Sequence, residues 1–189
     1  MSAEVLFEEG ESRVVIFYAF AMDYSMKELI ESVEWRQNDI KIFGKIYQEP
    51  RLTEWYGSAY TYSSIHWPKK SFPPVFLRIK KTIEKSVGWE FDALLLNYYR
   101  DGQDSMGWHR DNEPELDQTC IASLSLGQTR TFKIRHRESK KTWNISLNHG
   151  DLLVMWNMQS QFEHSIPKSK KQMKARLNLT FRKMKNEIL

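Results

Sequence analysis

From residue 91 onward the chain alternates apolar and polar residues with a period of two. "FDALLLNYY", "TCIASLSLG", "RTFKIRHRE", "TWNISLN", "DLLVMW" and "ARLNLTFR" are strand-length runs parted by turn signals such as Gly102, Gly127 and "NHGD". Upstream, the spacing is helical in two places. "SMKELIESVEW" opens with Ser25 and Glu28 in capping-box positions and continues with Leu29, Ile30 and Val33, which predicts a helix over about 26–35. "PVFLRIKKTIEKSV" carries Pro74 in the first turn, Val75, Ile79, Ile83 and Val87 on one face, and Gly88 as a stop. The apolar run "VVIFYAFAM" at 14–22 suits a buried strand, and "IKIFGKIY" and "AYTYSS" add further strands. Together these elements predict a mainly β fold with flanking helices (α+β), a β-sandwich or jelly roll buttressed by helices on one side.

At 189 residues and 41% hydrophobic content the chain suffices for one buried core, and no repeat, linker or composition break divides it. A single domain over 1–189 is expected, with about 1–90 as support and about 91–185 as the sandwich. Cys120 has no partner for an internal disulfide, the first residues lack a secretory pattern, and no apolar run is long enough for a membrane helix. These features predict an intracellular protein without a membrane span.

Net charge is +4, but residues 1–34 sum to −6 and residues 128–189 to +10. A basic end suits an anionic polymer, because each neutralised phosphate releases counterions; Lys168, Lys170, Lys171 and Lys174 are either phosphate contacts or a solvated loop.

The candidate chemistry begins in "GWHRDNEPELD", residues 107–117, where His109 and Asp111 stand two apart. In extended chain both side chains point the same way. His164, in "FEHSIP" after a strand, completes two histidines and a carboxylate, the facial triad that leaves open positions on non-haem Fe(II). His66, His136 and His149 compete for the third place; His136 lies in a strand among charges and His149 in a turn. "ARLNLTFRK" sets Arg176, Asn178, Thr180 and Arg182 on one face, which suits a dicarboxylate bound by an arginine fork or, equally, a strand face in water. "FDALLLNYYR" places Phe91, Ala93, Leu95, Asn97 and Tyr99 on one face, where the amide and phenol either bind the same small acid or anchor a sandwich edge. Trp108, beside the first ligand, either shields the metal or packs.

With "NYY", "HRD", His164 and "RLNLTFR" in this order, the sequence resembles the AlkB family of Fe(II)- and 2-oxoglutarate-dependent dioxygenases over nearly its whole length. "FGK" at 43–45, "YTYSS" at 60–64 and "RDG" at 100–102 are most similar to the branch that repairs alkylated duplex DNA. The resemblance implies a double-stranded β-helix (jelly-roll) core with an N-terminal nucleotide-recognition lid. It implies that His109, Asp111 and His164 bind iron. Asn97, Tyr99, Arg176, Asn178, Thr180 and Arg182 would then line the cosubstrate pocket, with Arg176 on the distal carboxylate. Phe43, Gly44 and Lys45 would probe the duplex, while Tyr60, Thr61 and Tyr62 would meet the flipped base. Asn112, where the branch often has aspartate, and Glu113 would lie near that base.

The implied reaction uses Fe(II), O2 and 2-oxoglutarate to demethylate 1-methyladenine and 3-methylcytosine, releasing formaldehyde, succinate and CO2. The implied partner is alkylated duplex DNA, with single-stranded DNA or RNA as alternatives, and the implied state is a monomer, cytoplasmic if bacterial and nuclear if eukaryotic. Two other readings stand beside it: an RNA or protein demethylase or hydroxylase of the same superfamily, and a metal-free β-sandwich that binds nucleic acid without chemistry.

Overall fold

A computed structural model describes residues 2–42, 44–62 and 65–185. Among them the strands, in chain order, are β1 (Ser2–Glu9), β2 (Ser12–Tyr18), β3 (Asp39–Ile42), β4 (Lys45–Gln48), β5 (Leu52–Tyr56), β6 (Tyr60–Tyr62), β7 (Ile65–Trp67) and β8 (Ala93–Tyr99). The rest are β9 (Met106–His109), β10 (Leu116–Gly127), β11 (Arg130–His136), β12 (Thr142–Leu147), β13 (Leu152–Trp156), β14 (Phe162–Ile166) and β15 (Arg176–Met184). Helices α1 (Met26–Glu31) and α2 (Pro74–Val87) complete the set.

Two antiparallel sheets make the sandwich. The larger runs β1-β2-β13-β10-β15-β8-β5 and the smaller runs β12-β11-β14-β9. The mainly β, jelly-roll class expected from the alternation is the class observed.

Alternation decides what each face of the larger sheet touches. Leu94, Leu96, Ala122, Leu124, Val154, Leu177, Leu179 and Phe181 form one core with Leu29 of α1 and Phe76, Ile79 and Ile83 of α2. Both helices therefore cover the same face, as the sequence predicts. The opposite face sends Val14, Ile16, Ile121, Leu153 and Met155 against Phe132, Ile134 and Phe162 of the smaller sheet. Asn97, Arg176, Asn178, Thr180 and Arg182 also sit on this inner face, as buried polar side chains between the sheets.

Several boundaries differ from expectation. Helix α1 stops at Glu31 instead of reaching 35: the Val33 N–H turns to the Ile30 carbonyl three residues back, the Ser32 hydroxyl donates to Leu29 O and the Trp35 indole donates to Ile30 O. The strand expected over 14–22 begins at Ser12 and ends at Tyr18, where Ala19 takes a positive φ of 49°. "IKIFGKIY" is a hairpin, β3 with β4, turned at Gly44 with φ 79°. Its Phe43 lies outside the described residues. Strand β6, with Tyr60, Thr61 and Tyr62, pairs with β7 through Tyr60↔Trp67 and Tyr62↔Ile65. Strands β1, β5, β7, β9 and β14 are additions to the expected set, so His164 lies within a strand and not after one.

Candidate metal centre

Strands β9 and β14 pair edge to edge, and the register sets His164 opposite His109. Their rings meet at 4.2 Å between centroids, inclined by 65°. Asp111 lies two residues past the end of β9, in a stretch outside the strands, and still reaches the two histidines. One ligand atom from each of His109, Asp111 and His164 lies within 4.8 Å of the others. The structure thus brings together the three residues singled out from the sequence. Of the competing histidines, His66 is exposed, the His149 Nδ1 accepts from the Gly127 N–H at 3.0 Å, and the His136 Nδ1 accepts from Ser139.

Protonation favours a cation here. His109 Nδ1 faces the Gly107 carbonyl at 2.8 Å, so Nδ1 carries the proton and Nε2 keeps its lone pair. His109 Nε2 and His164 Nε2 lie 3.9 and 4.0 Å from the two Asp111 oxygens. Burial lowers the pKa of both imidazoles, against the pull of Asp111; for His164 the neighbouring His109 adds to the effect and the value falls to about 3. Burial alone would raise the Asp111 carboxyl, but Arg182 and then the two histidines bring it down to about 2. The site therefore offers two neutral imidazoles and an ionised carboxylate at neutral pH, a donor set that fits Fe(II).

Two neighbours hold Asp111 in place. Arg182 Nη2 lies 2.8 Å from Oδ1, and the Asp111 N–H donates to Gln159 Oε1 at 2.9 Å. Gln159 is 1% exposed, and its carbonyl accepts from Arg110 Nη1 at 3.2 Å.

Beside the triad is a cavity lined by Asn97, Tyr99, Arg176, Asn178, Thr180 and Arg182, together with Leu95, Ser123, Phe132 and Met155. The arginines of β15 are thus not on a strand face in water. Arg176 is 1% exposed, and its Nη2 donates to Ser125 Oγ at 2.8 Å while Nε and Nη1 have no hydrogen-bond partner among the described residues. Its guanidinium carbon stands 5.2 Å from the Tyr99 ring centre, and Arg130 approaches the same ring at 5.6 Å. Burial lowers the Arg176 pKa to about 10, opposed by Tyr99 and assisted by Arg130. A buried guanidinium with two uncommitted N–H edges fits an organic carboxylate, the group 2-oxoglutarate carries at each end. Asn178 is differently occupied, since its amide donates to Ser123 Oγ and Leu124 O and accepts from the Thr180 hydroxyl.

Ser123 and Ser125 are not singled out by the sequence, although they alternate with apolar residues in the second half of β10. Gln159, Glu49 and Arg51 carry no local signal. Trp108 is 38% exposed and packs under the Arg135 guanidinium, 4.2 Å from its ring centre. Gly44, Lys45 and Asn112 are exposed and Glu113 is half-buried. Phe43 lies outside the described residues, and Tyr60, Thr61 and Tyr62 are placed by their backbone in β6.

A family model described as the 2OG-Fe(II) oxygenase superfamily matches residues 19–182. Human alpha-ketoglutarate-dependent dioxygenase alkB homolog 3 is 39% identical over 190 aligned positions, covering 92% of this chain and 66% of that protein. Human DNA oxidative demethylase ALKBH2 is 35% identical, covering 92% of this chain and 72% of its own length. The chain thus spans about two thirds of the length of the alkB homolog 3 relatives it matches. In fold, the solved structure of OsALKBH1 is similar with a TM-score of 0.66 at 17% identity, over 95% of this chain and 100% of that one. With a histidine–aspartate–histidine cluster beside a buried arginine in a jelly roll, and with relatives of this identity over most of its length, the chain belongs to the AlkB family within the 2OG-Fe(II) oxygenase superfamily.

Proposed function

We propose that this protein is an Fe(II)- and 2-oxoglutarate-dependent dioxygenase that removes N-methyl groups from bases of nucleic acid inside the cell. 1-Methyladenine and 3-methylcytosine in duplex DNA are the expected substrates. The observation that carries this reading is the juxtaposition of the His109, Asp111 and His164 cluster with the uncommitted N–H groups of Arg176. The name of the relative ALKBH2, a DNA oxidative demethylase, supports DNA as the substrate class.

His109 Nε2, His164 Nε2 and an Asp111 oxygen would hold the metal from one side, leaving its remaining positions to small ligands. Arg176 would hold a carboxylate of 2-oxoglutarate, and Asn97 and Tyr99 border the same cavity. Arg182 keeps Asp111 ionised, and the neighbouring Phe132 and Met155 limit water. Bound iron and 2-oxoglutarate supply the activation of O2 that converts an N-methyl into an N-hydroxymethyl group, which leaves as formaldehyde.

An alkylated base reaches such a site only after leaving the stack. Exposed Ile46 at 71% and Tyr47 at 49% on the β3–β4 hairpin, and the exposed lysines Lys168, Lys170, Lys171 and Lys174, support a surface that takes up nucleic acid. In this reading Gly44, Lys45 and Phe43 probe the helix, Tyr60, Thr61 and Tyr62 meet the base, Asn112 and Glu113 border it, and the protein acts as a monomer.

The test is the mass of short duplex DNA, single-stranded DNA and RNA oligomers carrying 3-methylcytosine after incubation with protein, Fe(II), 2-oxoglutarate and air. Loss of one methyl from the duplex, only in the complete mixture, is the expected result. Loss from RNA alone would reassign the substrate. No loss and no succinate, with iron loaded, would overturn the enzymatic reading.

A further inference from the structure

Behind the cavity lies an ion pair that the reaction as described does not use. Glu49 and Arg51 are 2% and 4% exposed, and Arg51 Nη2 donates to Glu49 Oε1 at 2.9 Å. The other carboxylate oxygen accepts from Asn38 Nδ2 and from the Thr53 hydroxyl, each at 3.0 Å. The Glu49 backbone is also fixed, its N–H on Asn38 O at 2.8 Å and its carbonyl on Gln37 Nε2 at 2.9 Å. Burying two charges is costly, and an apolar pair of similar volume would pack as well, so packing alone does not account for the pair.

Its contact toward the cavity is with Asn97. Arg51 Nε donates to Asn97 Oδ1 at 2.7 Å, and β5 and β8 pair so that Thr53 stands opposite Asn97. This bond decides which way the amide faces. With Oδ1 committed to an arginine, the NH2 group is the end left to donate to a carboxylate in the cavity that Asn97 lines.

We propose that Glu49 and Arg51 are positioning residues for 2-oxoglutarate: Glu49 holds Arg51, and Arg51 holds the Asn97 amide with its donor end toward the cosubstrate. This rests on the proposed function, since it takes that cavity as the cosubstrate site. Glu49 directly follows β4, so the base of the β3–β4 hairpin and the cosubstrate amide share one buried brace.

The experiment measures Mn(II) affinity, 2-oxoglutarate affinity of the Mn(II)-loaded protein and the metal-free thermal midpoint, for the full chain and its variants. Glu49→Gln is expected to keep Mn(II) affinity within about twofold and to weaken 2-oxoglutarate binding about tenfold, the scale of a lost supporting contact. The paired replacement Glu49→Met with Arg51→Met leaves no lone buried charge, and it is expected to keep the thermal midpoint and show the same tenfold loss. Adding Asn97→Ala to that pair is expected to cost nothing more, because the pair acts through Asn97. Unchanged 2-oxoglutarate affinity in either folded variant, or a full additional loss from Asn97→Ala, would overturn the proposal while leaving the cosubstrate reading intact. Failure of the wild-type protein to bind 2-oxoglutarate would overturn both.

Discussion

Arg182 Nη2 sits 2.8 Å from Asp111 Oδ1, with both side chains almost fully buried. The arginine that ends the polar face of β15 is thus engaged with the metal-facing carboxylate, whereas Arg176, six residues earlier, keeps two N–H groups uncommitted. Removing Arg182 leaves Asp111 as a buried anion without its strongest counter-charge. Arg182→Met is expected to cost the metal-free protein about 3–5 kcal/mol, and a bound divalent cation should recover part of it. Denaturant unfolding with and without Mn(II) checks this; an equal loss in both conditions would count against the pairing.

Arg176→Met should behave in the opposite way. The wild-type guanidinium is buried against the Ser125 hydroxyl and the Tyr99 side chain, with Nε and Nη1 uncommitted among the described residues, so replacing it by an apolar side chain is expected to leave the metal-free protein equally or more stable. The same change should abolish the rise in thermal midpoint that 2-oxoglutarate gives the Mn(II)-loaded wild type. A midpoint still raised by 2-oxoglutarate in the variant would remove Arg176 from the cosubstrate site.

Gln159→Leu tests how the Asp111 backbone is held. Losing the acceptor of its N–H is expected to weaken Mn(II) binding by about 10- to 100-fold. Gln161→Leu, on an exposed neighbour, should leave it unchanged. Calorimetric titration of the two variants separates these outcomes, and equal affinities would make Gln159 a packing residue only.

Acid should destabilise the metal-free protein through His164. Burial holds its folded pKa near 3, below the ordinary 6.5, so between these values the unfolded chain binds a proton that the folded chain does not. Stability therefore falls as pH drops through that window, by up to about 1.4 kcal/mol per pH unit from this group. Thermal midpoints of wild type and His164→Gln between about pH 7 and pH 5 are expected to converge toward acid. Parallel curves would mean that His164 is not held neutral.

The sandwich was legible where strands are long and one face is apolar. Leu177, Leu179 and Phe181 against Arg176, Asn178 and Thr180 can be sorted by alternation alone, and the structure sorts them the same way. Alternation does not mark β9, where "MGWH" has a glycine and no apolar–polar period, or β14, where a histidine stands at the inward position. Val33 continues the apolar spacing past the end of α1, whereas the Ser32 hydroxyl and the Trp35 indole bond the carbonyls that end it. The clustered residues His109, Asp111 and His164 are readable by residue type and spacing. Their supports were not: Gln159 meets Asp111 across 48 positions and Arg51 meets Asn97 across 46, so nothing local marks them.

Strand β9, which carries His109, is the edge of the smaller sheet and joins β14 through two paired positions, His164↔His109 and Ile166↔Met106. Fraying of such an edge separates the two histidines, and a cation bound by both opposes that fraying. Amide hydrogens of β9 should accordingly exchange quickly in the metal-free protein and slowly in the loaded one, so the breathing of a four-residue strand and the residence time of the metal are two views of one equilibrium.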